Sequence, residues 1–200
     1  MSASSKTLSD KLLTFGASIA DQFAANGYLA VVPDIYEGDN VPLNRPDDFN
    51  IMAWGGRHMP PTVDPILTAM IHNLRSNFGV KKLGGVGYCF GAKYVARFLG
   101  KGIDAGAMAH PSFVAMEEIK AIGGPLTIAA AETDHIFPEE KRHETEKILK
   151  EWKKTYQMIL YSGVEHGFAV RADLSQREVK FAQEATLLQQ LQWFDEWLKE

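Results

Sequence analysis

Residues 83–99, LGGVGYCFGAKYVARFL, decide how the rest of the chain is organised. The run from Leu83 to Tyr88 is short, apolar and punctuated by glycine in the manner of a buried parallel strand. Residues 92–99 then place apolar side chains at helical spacing and stop at Gly100, a residue suited to ending a helix. A strand that turns straight into a helix forces its pivot into a strained backbone conformation, and glycines two positions to either side, Gly87 and Gly91, leave room for it. The pivot is Cys89. The turn lifts its sulfur above the carboxyl edge of the sheet and sets it at a helix N-terminus, where partial positive charge favours thiolate over thiol. Cys89 is therefore the candidate nucleophile, against the commoner role of a lone cysteine as a small buried hydrophobe.

Length and composition bound what such a nucleophile can serve. A chain of 200 residues with 46% hydrophobic content suffices for one domain with a sizeable core, and a single domain is expected. Lysine and arginine number 21 against 25 acidic residues, a formal charge of −4, and no basic block offers a surface for phosphates. Nucleic acid is not an expected partner. One cysteine rules out an intrachain disulfide, and the opening MSASSKTLSDKLL lacks the basic stretch and apolar run of a secretory signal. No segment approaches the roughly 18 uninterrupted apolar residues of a membrane helix. The expectation is a soluble protein in a reducing, cytoplasmic setting, with no membrane partner; nothing in the sequence specifies an oligomeric state.

Taken in order, residues 8–24 carry apolar side chains near helical spacing, with Asn26-Gly27 to end the helix. Residues 28–32, YLAVV, read as a strand buried on both faces and stopped by Pro33-Asp34. Residues 37–49 are loop. Residues 50–61 mix Met52, Trp54 and Met59 with Gly55-Gly56 and read as a loop carrying large apolar groups. Trp54 is a candidate substrate contact, although packing is the commoner role of such a side chain. Residues 63–78 form a helix with Ile66, Met70, Ile71 and Leu74 on its apolar face, and His72 on it reads as an ordinary surface or boundary residue. Strands follow at 103–109, 125–131 and 156–161, helices at 116–122, 138–153 and 174–198. This alternation predicts an α/β fold with a mostly parallel sheet and helices on both faces.

In such sheets the site lies outside the carboxyl ends of the strands, where Cys89, Asp134 and His166 all fall. Nucleophile, acid, histidine is the chain order of the α/β-hydrolase arrangement. His166 would take the thiol proton and return it to the leaving oxygen. Asp134 would fix the imidazole tautomer, with a helix cap before residue 138 as its plainer role. Cys89 would form a thioester with the acyl part of an ester or lactone. His110 and His135 compete for the role of base; His110 precedes Asp134 and breaks the order, and His135 adjoins Asp134 and would point elsewhere.

Gly87-Tyr88-Cys89-Phe90-Gly91, the stretch Glu132-Thr133-Asp134-His135-Ile136-Phe137-Pro138, and Glu165-His166-Gly167-Phe168-Ala169-Val170-Arg171 together resemble the dienelactone hydrolases. Flanks such as Val31-Val32-Pro33-Asp34 resemble the fungal branch, and the likeness runs from about Ile19 onward. The resemblance implies an α/β-hydrolase fold, no metal and no organic cofactor, and a triad carried by Cys89, Asp134 and His166. It implies a small-molecule substrate that is an ester or cyclic enol-lactone, often bearing a carboxylate. Arg171 is similar in placement to an arginine that relatives use to hold that carboxylate; a solvated surface arginine is its plainer reading.

The chain also departs from the family. Members normally carry strands ahead of the helix at 20–25, the last of them central in the sheet between the strands matching 28–32 and 83–88. No counterpart is evident here, so an N-terminally truncated fold is expected. Either residues 28–32 pair directly with the elbow strand, or the first residues fill the gap, or the chain folds poorly. The loop after that strand usually supplies one of two backbone N–H groups facing the oxyanion, the other being that of Phe90, and losing one such donor costs roughly 10²–10³ in turnover. A weakened hydrolase is thus expected. The alternatives are an inactive scaffold or binding protein that keeps the elbow, and a glutamine amidotransferase, disfavoured because Gly167 and Phe168 follow His166 where a glutamate is needed.

Overall fold

The computed structural model describes residues 16–41, 46–171 and 173–199. The chain divides into two compact units, Met1–Gly79 and Val80–Glu200.

In the first unit the described helices are α1 (Gly16–Ala25), α2 (Ile51–Arg57) and α3 (Pro60–Asn77). The predicted helix ahead of residue 16 lies outside the described residues. α1 stops as its sequence demands: Gly27 takes φ 88° and donates to the Ala24 carbonyl at 3.0 Å. The strand predicted over 28–32 does not form, and Leu29, Val31 and Val32 are exposed. Branched side chains favour a strand by fitting a paired, half-covered sheet, and among the described residues this run pairs with no strand.

The loop predicted over 50–61 is also corrected, because α2 and the start of α3 occupy it. Asn50 Oδ1 accepts from the N–H groups of Met52 and Ala53 at 3.1 and 2.9 Å. The Trp54 ring is buried and donates Nε1–H to the Asp39 carbonyl at 2.7 Å. Cap and burial together outweigh the roughly 1 kcal/mol that each of Gly55 and Gly56 costs a helix. α3 appears as predicted, opened by Pro60 at its first position, where a missing N–H does no harm. Its buried stripe runs through Val63, Leu67, Ile71 and Leu74, with Ile66 and Met70 half-buried beside it and His72 exposed.

The second unit alternates β1 (Gly84–Tyr88), α4 (Gly91–Phe98), β2 (Ala105–Ala109), α5 (Met116–Ala121), β3 (Leu126–Thr133), α6 (Glu139–Glu151), β4 (Tyr156–Glu165) and α7 (Arg177–Leu198). The four strands are parallel in the order β1-β2-β3-β4, with Tyr88 beside Ala109 and Ala109 beside Ala129. β2 is built from small residues, and α4 packs close against them; a Cβ on Gly106 would stand 2.9 Å from Val95 Cγ1. On that face Val95, Leu99, Ile119 and Leu149 of the α4 to α6 layer bury Met108, Leu126 and Ile128. Each fully buried leucine or isoleucine contributes roughly 1.5–3 kcal/mol. On the other face α7 brings Val179 and Ala182 onto Ala109, Ala129, Tyr161 and Phe168. Gln189 fixes the seating of α7, donating Nε2–H to Thr127 Oγ1 at 2.7 Å and accepting from the Tyr161 hydroxyl at 3.0 Å.

β4 runs four residues beyond its predicted end at Tyr161. Within this extension Gly163 forms a bulge: it takes φ 71° and donates its N–H to Glu132 Oε2 at 2.8 Å. The register jumps from Ala131 beside Tyr161 to Thr133 beside Glu165, so the bulge re-aims the end of β4. Among the described residues no helix is long and apolar enough to cross a membrane.

Candidate active site

Every strand of the sheet is followed at once by a residue able to do chemistry: Cys89 after β1, His110 after β2, Asp134 after β3 and His166 after β4. Because the strands are parallel, all four lie at one edge.

Cys89 holds φ 51°, the left-handed angle that an elbow imposes on its pivot. Its N–H donates to the Ala109 carbonyl at 3.1 Å, and its own carbonyl accepts from Ser112 and Ala92 at 3.0 and 3.2 Å. The two flanking glycines are unequal. A Cβ on Gly87 would stand 2.5 Å from the Gly91 carbonyl carbon and oxygen, whereas one on Gly91 would meet nothing within 4 Å. Only Gly87 is sterically required, which corrects the symmetric reading of the motif.

Asp134 follows β3 with its side chain 1% exposed. Oδ1 accepts from the N–H groups of Ile136 and Phe137 at 2.8 and 2.9 Å, closing the turn, while Oδ2 meets His166 Nδ1 at 2.8 Å. The N-cap of α6 is Pro138, so the aspartate is not that helix's cap. His166 sits before Gly167, whose φ of 95° turns the chain so that Phe168 N–H returns to the Glu165 carbonyl at 3.1 Å. His166 Nε2 lies 3.2 Å from Cys89 Sγ. Sulfur, imidazole and carboxylate thus form one hydrogen-bonded chain.

The electrostatics charge this chain. Burial pushes the His166 ring toward neutrality, but its bonds to Asp134 and Cys89 prevail and lift its pKa to about 9. Burial likewise pushes the Cys89 thiol up, yet bonds from His166 and Ser112 and the Phe90 backbone N–H leave it below the ordinary thiol value. Asp134, also opposed by burial, is held low by His166 and by the two turn N–H groups. Both shifts favour the pair with the proton on His166 and the charge on sulfur over the neutral thiol and imidazole.

The rival bases are resolved by placement. His110 is completely buried, and burial followed by the charge of His166 drives its pKa down to about 3. Among the described residues neither of its ring nitrogens has a hydrogen-bond partner, and it meets the His166 ring edge-on with centroids 5.0 Å apart. His135 is exposed. Phe90 directs its N–H at the sulfur and packs its ring against Tyr94 and Phe113. Arg171 is exposed beside the His166 turn: its N–H donates to the Gly167 carbonyl at 2.9 Å, and a Cβ on Gly167 would stand 3.6 Å from its Nη2. Trp54 belongs to the first unit, its ring against Tyr36 and His58.

Ser112 carries no sequence signal beyond its place shortly after β2, yet its Oγ lies 3.2 Å from Cys89 Sγ and 3.3 Å from His166 Nε2. Among the described residues no three His, Cys, Asp or Glu side chains are grouped to hold a metal ion.

Residues 13–198 match the dienelactone hydrolase family. The chain is 50% identical over 182 residues to the hydrolase pyvD of Aspergillus violaceofuscus, covering 90% of this chain and 74% of that protein. It is 50% identical over 191 residues to the hydrolase tropI of Talaromyces stipitatus, covering 91% and 75%. A dienelactone hydrolase-like promiscuous phosphotriesterase from metagenomic libraries superposes with a TM-score of 0.72 over 93% of this chain and 82% of its own, at 17% identity, a likeness of fold.

Proposed function

This chain belongs to the dienelactone hydrolase family and is a hydrolase of carboxylic ester or lactone bonds, and on that premise we propose that it cleaves small esters or enol-lactones through a Cys89 thioester. One observation carries the reading: the 3.2 Å from Cys89 Sγ to His166 Nε2, continued by the 2.8 Å from His166 Nδ1 to Asp134 Oδ2.

The thiolate attacks the carbonyl carbon, and the oxyanion that forms faces the Phe90 N–H. The C–O bond then breaks and His166 Nε2 gives its proton to the departing oxygen, which in a lactone stays tethered to the acyl group. His166, now neutral, takes a proton from water as the hydroxide adds to the thioester. The C–S bond breaks, the carboxylic acid leaves, and thiolate and imidazolium are restored. Asp134 stabilises the imidazolium throughout and keeps Nε2 turned to the sulfur. Arg171, beside the His166 turn, is proposed to pair with a substrate carboxylate. A lone thiolate nucleophile agrees with a reducing, cytoplasmic setting.

The test is p-nitrophenyl acetate hydrolysis by the wild type, Cys89→Ala and His166→Ala. Turnover lost by on the order of 10²-fold or more in both variants supports the reading. Wild-type turnover no greater than that of Cys89→Ala rejects it in favour of a non-catalytic scaffold.

A further inference from the structure

The proposed reaction leaves the loop between β2 and α5 unexplained. His110 and Phe113 hold φ 36° and 58°, left-handed angles that side chains with a Cβ avoid and that persist only where the surroundings enforce them. The enforcement is visible. Ser112 N–H donates to the Cys89 carbonyl at 3.0 Å. Lys93, 8% exposed on α4, donates Nζ to the Phe113 carbonyl at 3.0 Å and to Glu118 at 2.8 Å. Glu118 in turn accepts from Arg97 and from the Ala115 N–H, both at 2.9 Å. A buried charge cluster thus fastens this loop to the helix that begins just after the nucleophile. What the fastening delivers is one hydroxyl: Ser112 Oγ, on a residue 1% exposed, placed between Sγ and Nε2.

We propose that Ser112 is a further catalytic residue, whose hydroxyl donates to the Cys89 thiolate and restrains it until substrate arrives. The inference rests on the Cys89–His166–Asp134 reading. A thiolate only accepts, and a protonated imidazole only donates, so a hydroxyl touching both gives its single proton to sulfur while its oxygen shares Nε2–H with that sulfur. Hydrogen bonds to a charged acceptor are stronger than neutral ones, and this one is spent on the resting state: once acylated, the sulfur is neutral and accepts poorly. Ser112 thereby raises the fraction of thiolate and tempers its intrinsic reactivity.

Cys89 is the chain's single cysteine, so alkylation by iodoacetamide followed against pH reports on it alone. In Ser112→Ala the midpoint is expected to rise by about one pH unit. The plateau rate is expected to rise about threefold, because nucleophilicity grows with basicity at a Brønsted slope of roughly 0.4–0.5. A loop that had merely loosened would alter access without coupling these two changes. Ser112→Thr and Ser112→Val match in shape and differ in the hydroxyl; Thr is expected to keep the wild-type midpoint and Val to follow Ala, which serves if the Ala variant does not fold. Thr and Val variants sharing one midpoint would overturn the inference. With His166→Ala as a further arm, a midpoint moved by His166 but not by Ser112 defeats this inference alone. An ordinary thiol midpoint unmoved by His166→Ala defeats the triad reading beneath it.

Discussion

Asp134→Asn is the substitution whose consequences follow most fully from the geometry. Oδ1 is committed to the Ile136 and Phe137 N–H groups at 2.8 and 2.9 Å, so the carbonyl oxygen of the asparagine stays there and its NH₂ turns to His166 Nδ1. Nδ1 must then accept, and the neutral ring carries its proton on Nε2, the wrong nitrogen for a base. The charged ring loses its counterion as well. Its rise from 6.5 to about 9, achieved against burial by Asp134 and Cys89, represents about 3 kcal/mol of preference for the imidazolium. If Asp134 supplies about half, its removal lowers the alkaline limb of activity by about one pH unit. The fall in kcat/KM is expected on the order of 10³, below the ~10⁴ of a serine triad, because a thiol already biased toward thiolate leans less on a base for the first attack. The assay is kcat/KM for p-nitrophenyl acetate across the pH range, with the urea midpoint as a check on folding. A folded variant with the wild-type profile would refute the orienting role of Asp134.

The elbow and the ion pair give two more tests. Gly87→Ala drives a methyl to 2.5 Å from backbone, so a loss of about 3 kcal/mol or more is expected, while Gly91→Ala, with open space and a better helix former, is expected to leave stability equal or up by about 0.5 kcal/mol in urea unfolding. The pair also has a signature in stability against pH. His166, raised from 6.5 to about 9, contributes stability that is full below 6.5 and lost as pH climbs through about 9; Cys89, held below 9.0, contributes the opposite slope just below 9.0. The two slopes oppose each other, so Tm should decline more steeply with rising pH toward about pH 9 in Cys89→Ala than in the wild type. Superimposable wild-type and Cys89→Ala curves would contradict the ion pair.

The elbow, the alternation of elements and the placement of Cys89, Asp134 and His166 were legible in the sequence because each is local. A strand end is marked by where the apolar run stops, and parallel pairing carries four such ends to one edge. What escaped depends on partners distant in the chain. Residues 28–32 have strand composition, but a strand exists only with a neighbour. α2 hides behind two glycines and rests on the Asn50 cap and the burial of Trp54. The last residues of β4 go past the end expected at Tyr161 because the Gly163 bulge, whose N–H Glu132 receives, lets the strand continue. Ser112 is one serine among many until Lys93 and Glu118 pull its loop against Cys89.

Catalysis by Cys89, His166 and Asp134 requires the sulfur to become covalently acylated. Mixing the protein with p-nitrophenyl acetate, quenching in acid and weighing the intact chain should reveal one added acetyl group, mapped to Cys89, accumulating more in His166→Ala after slow acylation and absent from Cys89→Ala. Hydrolysis that proceeds with no acetyl on Cys89 at any time point, or an acetyl that persists in Cys89→Ala, would contradict it.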